Sequence, residues 1–244
     1  MLPLPAMQRK PPAPLETVAT AVPGLTLRLA ADLHEATRLF VLENVDALVE
    51  PLRPWGRFRH AVLLQTVADN DALHAHLDLP SHAELQAVAG LDRVVFCPPA
   101  SPEALRRLLL HELAHVQCFQ RCTPPHGRVP YLPTWFREGL ALRVAHGRPD
   151  PKERRQLARH PQLALLANAD DAQIARDPAA AYALAAHLFT AWHDRFGTIG
   201  LTGLYAATRQ GHPFATAFQR SCQQRCNEFI ELWLAAVRRE ARSA

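Results

Sequence analysis

The sequence predicts an α+β fold, with a small N-terminal mixed sheet and its helices first and a mostly helical C-terminal lobe after it. Two patterns predict this order. Short apolar runs alternate with helical segments in the first hundred residues, whereas helical periodicity dominates beyond them. The length of 244 residues, with 48% hydrophobic and 20% charged residues, suits one domain with an ordinary core and excludes a wholly disordered chain.

The first lobe is predicted at about residues 21–122, after a flexible, proline-rich tail at residues 1–20. Apolar runs bounded by polar residues or proline predict three strands, at residues 25–29, 60–67 and 91–97. Spacing of apolar residues by three and four predicts a helix at residues 32–50, and a short helix is expected at residues 70–78. Together with the second lobe, these elements are expected to form a single domain over residues 21–244.

The second lobe is predicted at about residues 123–244 and consists almost entirely of helices. Ser101 is placed to cap a helix over residues 102–121, which leads into this lobe. Thr134 is placed in the same way before a helix over residues 135–146, which ends at a glycine. Four more helices are predicted, at residues 179–196, 199–209, 213–221 and 225–240.

The segment that indicates chemistry is His111-Glu112-x-x-His115, on the capped helix. Histidines four residues apart lie one turn apart on one helix face, so both imidazoles can reach one cation. Glu112 projects at a neighbouring angle and is placed to take a proton from a metal-bound water. Because this short pattern also arises by chance, a metal site needs a third ligand.

Glu138 is the candidate for that third ligand. It lies in the first turns of the next helix, after a proline-rich loop that lets the helix fold back. Carboxylates are common third ligands beside two histidines. Gly139, which follows it, would allow two helices to approach closely.

These residues resemble the gluzincin metallopeptidases, specifically the peptidase MA-like domains. The likeness lies in His111-Glu112-x-x-His115, followed 23 residues later by Glu138 in a W-x-x-E-G-x-A setting, and is weaker over residues 180–233. The resemblance implies a zincin-like domain with one Zn²⁺ per chain, held by His111, His115 and Glu138. It also implies a peptidase that acts on a peptide or protein substrate, with Glu112 as the general base.

The resemblance further implies a side chain that stabilises the oxyanion, and Tyr182 matches the position of the family tyrosine. His187 and His193 are second choices for that role. Many gluzincins carry an acidic residue four positions after the ligand glutamate. Leu142 stands there in this chain, so the partners of the zinc histidines stay unassigned.

Three alternatives remain open. The chain could be a non-catalytic, zinc-binding relative that acts as an interaction module. A structural metal site could add Cys118 and Cys122, although the eleven residues from His111 to Cys122 span about 16 Å of helix, too far for one ion. Residues 103–160 hold eleven basic and five acidic residues, which could bind anions. No nucleic-acid motif accompanies them, and we expect no nucleic-acid partner.

Cysteine content and hydropathy bear on the setting of the protein. Five cysteines in a chain of this length do not form a disulfide framework, so we expect reduced, mostly buried thiols. No apolar run reaches about 18 residues, which predicts no membrane span. The N-terminus, broken by prolines, lacks the apolar segment of a signal peptide, so a cytoplasmic location is expected. The sequence leaves the oligomeric state open.

Overall fold

The computed structural model describes residues 16–77, 86–167, 174 and 176–242. It confirms the predicted α+β class, since five short strands form one mixed sheet in the N-terminal part and helices make up most of the remainder. Residues 1–15, which hold most of the predicted tail, lie outside the described residues. Among the described helices, none combines the length and the apolar character needed to cross a membrane.

The strands lie in the sheet in the order β1-β2-β3-β5-β4. They are β1 (Glu16–Ala19), β2 (Thr26–Leu29), β3 (Val62–Thr66), β4 (Ala87–Ala89) and β5 (Arg93–Phe96). The three inner strands β2, β3 and β5 are parallel, and each edge strand is antiparallel to its neighbour. The three predicted strands are the inner ones, which are the most buried.

Both edge strands differ from the sequence prediction. β1 lies inside residues 1–20, which were predicted as a flexible tail, and β4 was not predicted as a strand. The residues of β1 are mostly exposed and those of β4 are half-buried, so neither strand has a pronounced apolar pattern. Backbone pairing with a neighbouring strand, such as Thr17 with Arg28, makes them strands.

The helices agree with the predicted ones to within a few residues. They are α1 (Glu35–Val49), α2 (Asn70–Leu77), α3 (Pro102–Cys122), α4 (Thr134–His146), α5 (Pro151–Leu157), α6 (Leu163–Leu166), α7 (Pro178–Arg209), α8 (Phe214–Cys222) and α9 (Cys226–Arg242), with a 3₁₀ segment at Glu50–Trp55 after α1. The short helices α5 and α6 lie in a polar stretch for which the sequence predicts no element.

The predicted cap of α3 is confirmed, and that of α4 is wrong. Ser101 Oγ accepts a hydrogen bond from the backbone N–H of Ala104, at 3.2 Å. Thr134 is instead the first residue of α4, and Pro133 precedes it with φ −55° and no side-chain capping bond. The proline ring fixes φ, so it sets the direction in which the chain enters the helix without a capping side chain.

Helix α7 contains the break expected between residues 196 and 199. Gly197 has φ 59° and ψ −161°, a conformation that residues with a Cβ rarely adopt. The two predicted helices therefore run on as one element with a kink. The first part of α7 packs against α4, which carries one of the candidate metal ligands.

Helix α3 is buried on more than one face, as predicted. Leu105 and Leu109 are buried on one side and Leu110 on another, while Leu108 and Phe119 are only half-buried. The helix contacts strands β4 and β5 as well as helices α4 and α7, so it lies between the sheet and the helical lobe. This position brings the histidines of α3 to the boundary between the two parts.

Gln120 ties α3 to two loops that lead into the sheet. Its Oε1 accepts hydrogen bonds from the backbone N–H groups of Arg59 at 2.6 Å and His60 at 3.1 Å. Its Nε2 donates to the carbonyl oxygens of His60 at 3.2 Å and Leu91 at 2.7 Å. All the hydrogen-bonding groups of this amide are used, and the side chain has a structural role.

Candidate metal centre

Three side chains from two helices converge on one point. The Nε2 atoms of His111 and His115, from successive turns of α3, lie 3.1 Å apart. Glu138 Oε2, from α4, lies 3.3 Å from Nε2 of His111 and 3.4 Å from Nε2 of His115. Among the residues that the structure describes, these three form the only group of His, Cys, Asp and Glu side chains arranged to hold a metal ion.

Gly139 lets α4 come close enough to α7 to place Glu138 there. A Cβ atom on Gly139 would lie 2.3 Å from the carbonyl oxygen of Ala185 and 2.4 Å from Cβ of Phe189. Real Cβ atoms do not make contacts this short, so the two helix backbones could not lie at this distance with any other residue. The close helix approach predicted from Gly139 is therefore confirmed.

The cluster is largely shielded from solvent. His115 is 7% and Glu138 9% exposed, and His111 is more open. Burial acts to raise the pKa of Glu138, but attraction and hydrogen bonding to His115 and His111 outweigh it and hold that pKa well below its usual range. Glu138 is therefore an anion at neutral pH, and it faces two imidazoles.

The protonation state of the two histidines decides whether this cluster can hold a metal ion. With both imidazoles neutral and their lone pairs on Nε2, the two nitrogens and the carboxylate oxygen of Glu138 are all acceptors. In that state a cation between them would satisfy all three acceptors, which lie 3.1–3.4 Å apart. In that tautomer Nδ1 of His115 carries the proton, and it is buried with no hydrogen-bond partner among the described residues. The donor set fits a metal ion.

Glu112 lies beside the cluster and is not one of its three ligands. Its side chain is 7% exposed. Burial raises the pKa of Glu112 to about 7, against attraction from His111 and with repulsion from Glu138. The site thus holds two buried glutamates in different states, one firmly ionised and one that exchanges a proton near neutral pH.

Tyr182 lines a groove of about 370 Å³ between the end of α4, the start of α5 and the start of α7. The ring is 41% exposed. Leu142 and His146 also line the groove, one and two helical turns after Glu138, so the groove begins beside the cluster. None of the described residues that line it is a cluster ligand.

The two histidines named as second choices pack outside the cluster. The ring centroid of His193 lies 4.8 Å from that of Trp55 and 6.1 Å from that of Phe189. His187 is buried, with Nε2 4.0 Å from a carboxylate oxygen of Glu153. Burial lowers the pKa of His187 to about 4, so this ring is neutral at pH 7.

His146 is a groove residue that the sequence analysis did not single out. Burial lowers the pKa of His146, and repulsion from Arg107 and His111 lowers it further. It is therefore within electrostatic reach of the cluster. Its position eight residues after Glu138 on one helix, two turns along the same side, was the signal that could have found it.

The cysteines do not contribute to the metal centre. All five are free thiols and four of them are buried, as expected from the sequence. Cys118 and Cys122 lie next to each other and to Tyr205, and hydrogen bonding between the two thiols raises the pKa of Cys118. Neither joins the group formed by His111 and His115.

Several arginines of the basic stretch at residues 103–160 are neutralised by carboxylates. The pairs are Arg107–Glu103 at 2.9 Å, Arg148–Asp194 at 2.6 Å and Arg154–Glu240 at 2.7 Å. These pairs reduce the basic excess that the sequence shows in this stretch.

No protein-family model matches the chain, and no curated protein matches it. The function is therefore argued from the side chains of this molecule.

Proposed function

We propose that the protein is a zinc-dependent peptidase of the gluzincin type, with His111, His115 and Glu138 holding one Zn²⁺ per chain. The observation that carries this proposal is the spacing of the three ligand atoms. Ligands about 2.0–2.1 Å from a tetrahedral zinc ion lie about 3.3–3.4 Å from one another. The corresponding distances here are 3.1, 3.3 and 3.4 Å.

Zinc bound by three protein ligands supplies a water of pKa about 7 and polarises a carbonyl group. Glu112 is the residue of this chain that handles the proton. Its carboxylate accepts a proton from the attacking water and passes it to the nitrogen of the leaving amine. Glu112 is buried beside the three ligands, so its carboxylate is within reach of a water at the open position of the metal.

The groove beside the cluster positions the substrate in this proposal. A groove that starts one turn beyond Glu138 is within reach of the residue next to the scissile bond. β4 is an edge strand that contacts α3, and an edge strand offers backbone groups to an extended peptide. A peptide or protein substrate cleaved at an internal bond suits this arrangement.

The second candidate is a non-catalytic, zinc-binding relative that acts as an interaction module. Two observations favour it. His115 Nδ1 is buried and has no hydrogen-bond partner among the described residues, and Leu142 stands where many gluzincins have a carboxylate. A zinc histidine without such a partner is less firmly oriented and less basic, which weakens catalysis more than binding.

A comparison of two glutamates on α3 tests the proposal. We expect the purified chain to contain one zinc and to cleave members of a broad peptide library. Glu112→Gln is nearly isosteric and cannot accept a proton, so zinc should stay and cleavage should be lost. The matched control is Glu103→Gln, an exposed glutamate of the first turn paired with Arg107, which should change neither. Zinc without cleavage in the parent would favour the interaction module.

Tyr182→Phe tests the oxyanion role. If the hydroxyl stabilises the oxyanion, turnover falls by about 100-fold while fold and zinc content stay the same, because one donor of this kind contributes about that much. Unchanged turnover would show that the Tyr182 hydroxyl does not stabilise the oxyanion and that the side chain only lines the groove. Steady-state kinetics with one cleaved peptide, beside metal analysis, distinguishes the two outcomes.

A further inference from the structure

A second pocket, of about 500 Å³, lies at the C-terminal end of α3. Three arginines line it, Arg59 before β3, Arg121 in the last turn of α3 and Arg209 in the last turn of α7. The other lining residues in the described part of the chain are uncharged: Pro125, Thr202, Tyr205, Ala206 and Gln210. Arg121 follows His115, the nearer cluster ligand on α3, by six residues, about 9 Å of helix, and none of the described lining residues belongs to the metal centre.

The guanidinium of Arg121 is held in place by its surroundings. Its Cζ lies 5.2 Å from the centroid of the Tyr205 ring. Gly56 packs closely against the same guanidinium. A Cβ atom added to Gly56 would lie 3.0 Å from Cζ and Nη1 of Arg121, and Gly56 has φ 120°. Gln117 Nε2 donates to the Gly56 carbonyl oxygen at 2.8 Å and fixes this turn. Arg121 is therefore positioned before any ligand binds.

The positive charge of the pocket is not neutralised by the protein. No carboxylate of the described chain forms an ion pair with Arg59, Arg121 or Arg209, and Nε of Arg121 is buried without a hydrogen-bond partner there. The C-terminal ends of α3 and α7 contribute about half a negative charge each. An excess of about two positive charges remains, unlike at Arg148 and Arg154, which face carboxylates.

We propose that this pocket binds a small molecule through a multivalent phosphate group, such as a diphosphate. Guanidinium groups bind phosphate oxygens through two parallel N–H donors, and three of them match a group with two or more negative charges. The volume is that of a small-molecule site. Tyr205 is the only aromatic residue among the described residues that line the pocket, and it is buried. This lining offers no exposed ring on which a single-stranded nucleic acid could stack.

Calorimetric titration of the full chain with inorganic pyrophosphate tests this proposal. The protein is first freed of metal with a chelator and dialysed, because pyrophosphate also binds zinc. We expect saturable binding of one pyrophosphate per chain. Arg209→Gln and Arg59→Gln should each weaken it by about ten-fold or more, the usual contribution of a charged hydrogen bond. Arg155→Gln removes an exposed arginine of α5 and should leave the affinity unchanged.

Three further measurements distinguish a phosphate pocket from the metal centre, from a general anion site and from a nucleic-acid surface. Glu138→Ala should bind pyrophosphate as the parent does, so failure of the zinc proposal leaves this one intact. Citrate of similar charge should bind more weakly, and equal affinity would refute a phosphate-selective pocket. A single-stranded oligonucleotide should not compete. Absence of pyrophosphate binding, an equal loss in Arg155→Gln, or tighter binding of the oligonucleotide would overturn the proposal.

Discussion

Gln120 and His115 lie five residues apart on α3 and are 2% and 7% exposed, yet their polar atoms are used in opposite ways. Both sides of the Gln120 amide are saturated by backbone groups of two loops. The Nε2 of His115 faces another imidazole and a carboxylate, and its Nδ1 has no partner among the described residues.

This difference separates a polar side chain that supports the fold from one that is arranged for a ligand. Burying a polar atom without a partner is unfavourable, so most buried polar atoms of a folded protein have one. Every polar atom of the Gln120 amide has a backbone partner, whereas the Nε2 atoms of His111 and His115 converge on Glu138 Oε2 at the spacing of metal ligands. The first two predictions test the two sides of the comparison directly.

The largest effect is expected from Glu138→Ala. Two histidines alone are too few ligands for a tetrahedral site with one open position, so zinc affinity should fall by more than about 100-fold and hydrolysis should disappear with it. Metal analysis after dialysis against dilute zinc measures the first effect. If the variant keeps one zinc per chain at the affinity of the parent, the third ligand lies elsewhere and the gluzincin proposal fails.

Gln120→Leu should lower the free energy of unfolding by about 3–5 kcal/mol and leave the zinc stoichiometry of the folded protein unchanged. The substitution leaves two N–H groups and two carbonyl groups without a buried partner. Urea unfolding measures the loss of stability. Gln156→Leu, at an exposed position of α5, is the matched control and should cost little. A loss of zinc binding in folded Gln120→Leu would contradict the assignment of a structural role to Gln120 and a ligand role to His115.

Glu112→Gln sharpens the comparison within the cluster itself. Hydrolysis should fall by at least about 100-fold, the share usual for a general base, while zinc affinity stays within a few-fold of the parent. The ratio of these two effects is the informative quantity, because a ligand would lose both. Equal losses of zinc and activity would make Glu112 a ligand and would require a new assignment of the base.

His187 extends the comparison to a buried histidine outside any cluster. Its pKa is about 4 in the folded protein against 6.5 in the unfolded chain, so the unfolded chain takes up the proton first as pH falls. Its contribution to stability should therefore fall by about 2 kcal/mol between pH 7 and pH 5. His187→Gln removes this dependence. Urea unfolding of the metal-free parent and of metal-free His187→Gln at pH 7 and pH 5 measures this change in stability. Glu112 titrates in the opposite sense, but it is present in both proteins, so its contribution cancels when they are compared.

The sequence predicted the parts of the site that depend on local spacing. The turn between His111 and His115, the cap at Ser101 and the close approach at Gly139 follow from helix geometry and side-chain size. Gln120 was not predicted, because its partners Arg59 and His60 are about 60 residues away and use only backbone atoms. The identity of a residue does not show whether its side chain will hydrogen-bond to backbone atoms far away in the sequence.

The edge strands were missed for a related reason. β1 is mostly exposed and β4 half-buried, so the alternation that marks an inner strand is lacking in both. Thr134 was predicted as a cap from its residue type, whereas the ring of Pro133 sets the start of α4. Each of these features depends on how neighbouring segments meet, and a single sequence does not show it.

The contact at Gly139 has a consequence for mutational scanning. A side chain at this position would meet the backbone of Ala185 and displace α4, and Glu138 would move with it. In a library scored only by activity, position 139 would therefore look as intolerant as a ligand although it touches no ion. Scoring the same library by the abundance of folded protein would separate the two positions, because Glu138→Gln keeps the helix packing and Gly139→Ala does not.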